Sequence, residues 1–409
     1  VLLALVAAFP GGVAPGEGAW VFGGSLVLGG EGPGDGSDCT PYEALVTAPD
    51  SLAPDPAAAL GQPLTIVYTS GTTGRPKGTV LTQEAVFYNA VNAAAIFQMT
   101  SRDHILTVLP MFHVGGMNIQ TTPAVHTGAT VTIQQKFDPG DTLAAIARSR
   151  ATLLLAVPAV SQAMLAHPDW AKTDVSSLRN VCVGSSAVPE AVIRPWLDRG
   201  IPVTQVYGMT ESCPVAIALS IEDGPRMVGS TGKPVPHCEA RIVDDKGRDA
   251  AAGEPGEIIL RGPNIMKEYW QNPAATAECF EDGWFHTGDI GHMDEDGFYY
   301  IDDRKKDVVI SGGENIYPAE LENVLADCPD IDEFAVVGRP DKKWGEVPVA
   351  CIVPKQGSAI TEEDVMALFE GRLAGYKHPR GVVFMDGPLP RTSLGKVQKF
   401  ELRERLRKP

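Results

Sequence analysis

The sequence predicts an α/β protein with a large N-terminal lobe of mostly parallel sheets flanked by helices, followed by a small α+β domain. From residue 64 to about residue 301, short apolar runs rich in β-formers alternate with amphipathic stretches, as in a parallel sheet covered by helices. Beyond residue 307 the segments become shorter and end in a basic helix, which predicts the second domain. The predicted strands are residues 64–68, 105–109, 130–133, 152–157, 180–183 and 203–206, and the predicted helices are residues 83–98, 142–150, 159–166 and 189–199.

The composition is that of an ordinary globular protein. The chain has 409 residues, of which 44% are hydrophobic, and this length suggests two or more domains. It begins at Val1 rather than at a methionine, and the part up to about residue 63 is rich in Gly, Pro and Ala with little periodicity. We therefore expect a chain whose large domain is truncated at its N-terminus.

Charge and cysteine usage argue against several classes of protein. A net charge of −17 and a pI near 4.9 disfavour a nucleic-acid partner. The seven cysteines lie far apart without metal-ligand spacing, which predicts reduced thiols in a cytoplasmic protein. The apolar residues 1–10 are too few to span a bilayer, so no transmembrane segment is expected. Peripheral membrane contact through an acyl substrate and the oligomeric state stay open.

The most informative segment is residues 68–78, Tyr-Thr-Ser-Gly-Thr-Thr-Gly-Arg-Pro-Lys-Gly. Glycines let backbone N–H groups approach an anion, while hydroxyls and a lysine add donors and positive charge. The spacing differs from a Walker loop, so another kind of phosphate loop is predicted, between a strand and a helix capped by Thr82. A flexible linker is the alternative. The candidate phosphate-binding residues are Thr69, Ser70, Gly71, Thr72, Thr73, Gly74 and Lys77.

Two further segments carry polar residues suited to a nucleotide. Residues 207–211 follow a predicted strand and so lie at the edge where open α/β sheets bind ligands. There Tyr207 offers a flat face to a purine, and Glu211 offers a carboxylate to Mg²⁺. Asp289 is the last residue of the segment 284–289, and its carboxylate is suited to accept hydrogen bonds from both hydroxyls of a ribose. Taken singly, each segment is also compatible with a turn or a helix start.

Two segments of the C-terminal part complete the set. Residues 311–318, Ser-Gly-Gly-Glu-Asn-Ile-Tyr-Pro, predict a donor-rich loop just beyond the domain boundary. Residues 391–396 place Lys396 behind a glycine in an exposed turn, where a lone lysine is usually only solvated.

In this order the segments resemble the acyl-adenylating superfamily of acyl-CoA synthetases, peptide-synthetase adenylation domains and luciferases. The resemblance runs from about residue 64 to residue 402. Residues 303–307 resemble its hinge motif, and Gly395-Lys396 resembles its mobile catalytic lysine. The resemblance implies that residues 1–303 are the remainder of a large AMP-binding domain, residues 304–306 a hinge, and residues 307–409 a small mobile domain.

The resemblance further implies an acid–CoA ligase that uses ATP, Mg²⁺ and coenzyme A. An acid would attack the α-phosphate of ATP to form an acyl-adenylate and release pyrophosphate, and CoA would then displace AMP. The implied catalytic residues are Lys396, Thr210, Glu211 and His113, and the implied Mg²⁺ ligands are Glu211 and Thr72. Besides the phosphate loop, the nucleotide and CoA would contact Gly184, Ser185, Ser186, Ala187, Tyr207, Gly208, Met209, Asp289, Arg304, Lys306 as the pivot, Gly312 and Gly313.

The nature of the acid is less evident from the sequence. His113 stands where amino-acid-activating relatives usually carry an aspartate, which favours a simple organic acid. Gly115, Gly116 and Gly208 beside apolar residues suggest a pocket with room for a fatty acyl or aryl group. The alternatives are transfer of the acyl group to a carrier protein or to oxidation, and a non-catalytic nucleotide-binding protein.

Overall fold

The structure is a computed structural model that describes residues 59–69, 76–184, 188, 190–391 and 397–407, and the backbone of four short strands before residue 59. In the described part, a seven-stranded sheet forms the centre of the large lobe, and its five longer strands are parallel. The predicted α/β class and all six predicted strands of the large lobe are confirmed. The order across this sheet is Lys233–Pro234, Ile217–Ala218, Val203–Tyr207, Asn180–Gly184, Leu153–Ala156, His104–Thr107 and Thr130–Ile133.

The central sheet is buried on both faces. Along Asn180–Gly184, Val181 and Val183 contribute to one hydrophobic core, whereas Cys182 between them contributes to the other. Because side chains of a strand alternate between faces, a strand of this kind must be apolar at nearly every position. This is why its apolar run is recognisable in the sequence.

Helices cover the sheet where periodicity predicts them. Gln83–Ile96 begins after Thr82, whose side chain accepts a hydrogen bond from Ala85 N at 3.0 Å, as the predicted cap requires. The other described helical segments of this lobe are Val114–Gly116, the π-helical turn Met117–Thr121, Thr122–Thr127, Pro139–Ser149, Pro158–Ala166, Glu190–Leu197, the 3₁₀ turn Thr210–Ser212 and Pro273–Glu278.

The element after the phosphate loop differs from the prediction of a loop leading directly into a helix. A strand, Lys77–Thr82, intervenes and pairs antiparallel with Pro63–Thr69. Its residues Thr79, Val80 and Leu81 are fully buried, so the run is stabilised as a strand by its neighbours on both sides. This mixed sheet has the order Leu3–Leu5, Pro63–Thr69, Lys77–Thr82 and Glu268–Tyr269.

A third, antiparallel sheet positions the predicted ribose residue. Asp289 lies within the strand Trp284–Met293 rather than in a turn, and this strand pairs with Tyr299–Arg304 through the predicted tight turn at Gly297. The remaining order is Glu239–Val243, Gly256–Arg261, Trp284–Met293 and Phe280–Glu281, and a separate small sheet has the order Ser25–Leu28, Ala19–Phe22 and Cys39–Pro41.

The C-terminal part has a sheet and core of its own. Leu321, Val336 and Phe369 are buried in this core. The strand order is Glu314–Ile316, Val309–Ser311, Gly345–Pro354 and Ile331–Asp341, with Val382–Phe384 beside Gly345–Pro354, and the helices are Pro318–Ala326, Glu362–Ala367 and the predicted Lys399–Arg407. Among the described residues, no helix is long and apolar enough to cross a membrane.

Candidate active site

Two predicted nucleotide residues lie side by side at one edge of the central sheet. Gly184 ends its strand opposite Val206, one position before Tyr207, because the two strands are parallel neighbours. A β-carbon at Gly184 would lie 2.8 Å from Val206 Cγ2, so glycine keeps this edge close-packed. Ser185, Ser186 and Ala187, which were predicted to continue the adenine pocket, lie outside the described residues.

Beside this edge, three predicted residues form a connected polar group. The Tyr207 hydroxyl donates to Asp289 Oδ2 at 2.9 Å, and Arg304 Nε lies 3.5 Å from Asp289 Oδ1. Asp289 and Arg304 are opposite each other on adjacent strands, which fixes their approach. Burial and the neighbouring carboxylate raise the pKa of Tyr207, so its hydroxyl stays a donor. The structure thus brings together Tyr207 and Asp289, which are 82 positions apart in the chain, and Arg304, which is 15 positions beyond Asp289.

Glu257 supports this group, although sequence analysis did not single it out. Its Oε1 accepts the Gly288 N–H at 3.1 Å, and its Oε2 lies 3.0 Å from Lys305 Nζ and 3.2 Å from His286 Nδ1. Burial alone would raise the pKa of Glu257, but these partners hold it below its ordinary value. The carboxylate therefore fixes the backbone next to Asp289. Nothing in the local sequence marks Glu257, since its partners are about 30 to 50 positions away.

A second polar group surrounds Glu211. The Tyr269 hydroxyl donates to Glu211 Oε1 at 2.7 Å, and Lys77 Nζ lies 4.8 Å from the centre of the Tyr269 ring. Burial raises the pKa of Glu211, and the hydrogen bond from Tyr269 opposes that rise. Tyr269 was also missed by sequence analysis. It joins the end of the phosphate loop to the predicted metal ligand, because the strand Glu268–Tyr269 pairs with Lys77–Thr82.

Glu211 fits a bound divalent cation on chemical grounds. Its side chain is only 9% exposed, so its ionised form loses hydration that a cation would replace. Thr72, the other predicted ligand, lies outside the described residues, as do Ser70, Gly71, Thr73 and Gly74. The described Thr69 lies at the loop entrance, where its hydroxyl is 3.5 Å from Lys77 O.

The backbone between Tyr207 and Pro214 is tightly constrained. A β-carbon at Gly208 would lie 1.5 Å from Pro214 O, and one at Gly116 would lie 2.4 Å from Pro110 O. Glycine at these two positions therefore allows neighbouring backbone to pack closely, and room for the acid beside them stays a prediction. Met209 and Thr210 lie within this loop, and Thr210 is buried.

His113 lies at the start of the segment that follows the loop at Pro110. Its Nδ1 accepts the Gly115 N–H at 3.0 Å, so the ring caps the short helix Val114–Gly116. In this arrangement the neutral ring carries its proton on Nε2. His113 is half-buried, which leaves part of the ring accessible.

An aspartate with a partner in the small domain lies on each side of the predicted hinge, residues 304–306. Burial lowers the pKa of Lys306. On one side, Asp303 Oδ2 accepts the N–H of Ala319, in the first turn of a small-domain helix, at 2.8 Å. On the other, Arg403 of the C-terminal helix pairs with Asp307. The first contact links the end of the large domain to the small domain, and the second lies within the small domain.

The predicted CoA loop forms a hairpin turn between Val309–Ser311 and Glu314–Ile316. Gly312 and Gly313 have φ of 62° and 92°, which favours glycine at both positions. Gly312 N–H donates to Trp344 O at 2.8 Å. Among the described residues, no hydrogen bond joins this hairpin to Tyr207 or Glu211. Lys396 lies outside the described residues.

Comparison with known proteins agrees with this geometry. The model of the AMP-binding enzyme family matches residues 31–270, and that of the AMP-binding enzyme C-terminal domain matches residues 320–396. An indoleacetate–CoA ligase of Aromatoleum aromaticum is 51% identical over 89% of this chain and 71% of its own length. A long-chain-fatty-acid–CoA ligase of Mycobacterium tuberculosis is 39% identical over 91% of this chain and 74% of its own length.

A solved structure has the same fold. The o-succinylbenzoate–CoA synthetase of Bacillus subtilis, in complex with its acyl-adenylate intermediate, superposes with a TM-score of 0.78 at 37% identity, over 85% of this chain and 70% of that one. Fold and site thus define an adenylate-forming enzyme. The chain belongs to the AMP-binding enzyme family.

Proposed function

We propose that this enzyme activates an aromatic carboxylic acid and transfers it to coenzyme A. The observation that supports this choice is the 51% identity to an indoleacetate–CoA ligase, against 39% to a long-chain-fatty-acid–CoA ligase over a similar share of the chain. The sequence alone is compatible with either a fatty acid or an aryl acid as the substrate. The higher identity favours the aryl acid.

The reaction class itself is an ATP-dependent acid–CoA ligation of the AMP-forming kind, with ATP, Mg²⁺ and CoA as its small-molecule partners. A carboxylate is a poor acyl donor, so its oxygen attacks the α-phosphate and pyrophosphate leaves. The thiol of CoA then attacks the acyl carbon, and the C–O bond to AMP breaks. A cytoplasmic location suits ATP and CoA and stays a prediction.

In the proposed division of roles, the described residues hold the nucleotide. Asp289 accepts hydrogen bonds from the ribose hydroxyls, and Tyr207 and Arg304 keep its carboxylate in place. Glu211 would hold the Mg²⁺ that neutralises phosphate charge, and Tyr269 orients Glu211. His113 borders the acid, where its cap on Gly115 fixes the ring.

Lys396 and the Gly312-Gly313 hairpin are proposed to serve different half-reactions. Lys396 would offset the charge that builds up as the carboxylate meets the α-phosphate, and the hairpin would admit the thiol after rotation about Lys306. Lys396→Ala should then abolish adenylation but spare thioester formation from supplied acyl-adenylate. Gly313→Leu should do the reverse. Equal loss of both steps in each variant would contradict this division.

The test of the substrate class is a pyrophosphate-release assay over paired acids of equal carbon number, with and without CoA. Indole-3-acetate should exceed decanoate, and cinnamate should exceed nonanoate, in kcat/KM by at least about tenfold, which is about 1.4 kcal/mol of transition-state binding. A preference for the alkyl acids would refute the aromatic assignment while leaving the ligase class intact.

A further inference from the structure

One buried side chain next to the acid-binding segment has no polar partner within the described residues. Gln120 is 1% exposed, and neither its Oε1 nor its Nε2 makes a hydrogen bond there. Leaving such a group unpaired costs about 1–3 kcal/mol, and buried polar groups are nearly always paired. The cost suggests that a bound molecule supplies the partner.

The backbone around Gln120 is irregular as well. Gln120 belongs to the π-helical turn Met117–Thr121, which follows His113 and the short helix it caps. Such turns are rare and often occur at functional sites. They insert an extra residue into a helix and so direct a side chain that a regular helix would place elsewhere.

Gln120 lies beside the edge of the central sheet at which open α/β folds bind ligands. Its side chain borders a narrow space, closed to water, at the carboxyl ends of the strands His104–Thr107 and Leu153–Ala156. This is the same edge on which Tyr207 ends its strand. Leu155 is two strands away from Tyr207, so the space lies about 10 Å from the nucleotide corner.

The neighbouring polar groups are already engaged with one another. Thr107 Oγ1 and Thr121 Oγ1 are 2.7 Å apart, and Thr121 Oγ1 donates to Gly116 O at 2.7 Å. The rest of the lining is apolar, from Val108, Leu109 and Leu155. An amide in such surroundings distinguishes strongly between a ligand with a hydrogen-bonding group and one without.

We propose that Gln120 is a specificity residue that hydrogen-bonds an N–H or O–H group on the ring of the aromatic acid. This inference rests on the proposed function and narrows it: the preferred acid is an aryl acid whose ring carries a donor, such as an indole or a phenol. Because the space beside Gln120 has no room for a water molecule, its apolar lining has to move apart when a ring enters beside His113.

The experiment compares acids that differ in one donor, namely 4-hydroxycinnamate with cinnamate and indole-3-acetate with 1-benzothiophene-3-acetate. The wild-type enzyme should prefer the donor-bearing member by about tenfold or more in kcat/KM. Gln120→Leu should abolish that preference, with KM for ATP unchanged. Leu155→Met, which alters the same lining without a polar group, should keep the preference.

The outcomes separate the two proposals. An unchanged preference in Gln120→Leu overturns the role of Gln120 and leaves the aryl-acid function standing. Activity on alkyl acids alone overturns both. Removing an unpaired amide should also leave Tm equal or higher, whereas a clear fall in Tm of Gln120→Leu would show that Gln120 is only a structural residue.

Discussion

The proposed nucleotide end and the proposed acid end of the site are built differently. At the nucleotide end, Tyr207, Asp289 and Glu211 have partners from other sheets that hold their functional groups in place. At the acid end, the polar contacts mostly satisfy the protein itself, as with His113 and Gly115. ATP, which is the same in every reaction of this class, can thus be bound by fixed polar groups. The acid, which differs between enzymes, is selected by packing and by a few polar side chains such as Gln120.

The largest effect should follow from Glu211→Gln, which removes the buried charge but keeps the shape. Without an anionic ligand, Mg·ATP loses a fixed partner, and adenylation should fall by about 100-fold or more. The measurement is pyrophosphate release at increasing Mg²⁺. Tyr269→Phe is the matched control and should lose much less, because it removes only the hydrogen bond that orients Glu211. Equal rates for Glu211→Gln and wild type would refute the assignment.

The next effect should come from Asp289→Asn, which weakens hydrogen bonds from the ribose. A charged acceptor is worth about 1.5–3 kcal/mol, so kcat/KM for ATP should fall by about 10-fold or more. The wild-type enzyme should discriminate against 2′-deoxy-ATP, and the variant should not. If both enzymes discriminate equally, Asp289 does not read the ribose, and the two ends are less different than inferred.

A smaller and selective effect is expected at the acid end from His113→Ala. It removes both the ring and the acceptor for the Gly115 N–H, so kcat/KM for the acid should fall several-fold while KM for ATP stays constant. His113→Asn restores a capping acceptor without the ring. Full rescue by Asn would show that His113 only caps the helix, which would remove it from the acid site.

The smallest kinetic effect should come from Asp103→Asn, remote from both ends. Burial alone would raise the pKa of Asp103, but hydrogen bonds from Arg179, Thr100 and Thr152 lower it to about 2. A lowered carboxyl pKa stabilises the fold above about pH 4, and this stabilisation is lost as the pH falls toward 2.

The Asp103→Asn variant should therefore unfold in urea with about 2 kcal/mol less stability at pH 7, with a constant difference down to about pH 5 and a shrinking one below pH 4. Its kcat/KM values should equal those of the wild type. A selective loss of ATP or acid binding would show that the two ends depend on this distant ion pair.

The parts that could be predicted from the sequence are those whose chemistry or periodicity is local. The run Asn180–Gly184 is recognisable because both faces are buried, and Tyr207, Glu211 and Asp289 because few residue types suit their tasks. The strand Lys77–Thr82 was missed because its pairing partners, and not its own short pattern, decide its structure. Glu257, Tyr269 and Gln120 were missed because their significance arises only from contacts across the fold.

Arg304 occupies two neighbourhoods at once, across the sheet from Asp289 and two positions before Lys306. Under the proposed roles, ribose binding by Asp289 and rotation of the small domain about Lys306 therefore depend on one stretch of backbone. A substitution that alters the ribose contact would then also alter the hinge, and the reverse. We therefore expect nucleotide specificity and domain motion to change together in evolution, while the residues of the acid pocket change independently.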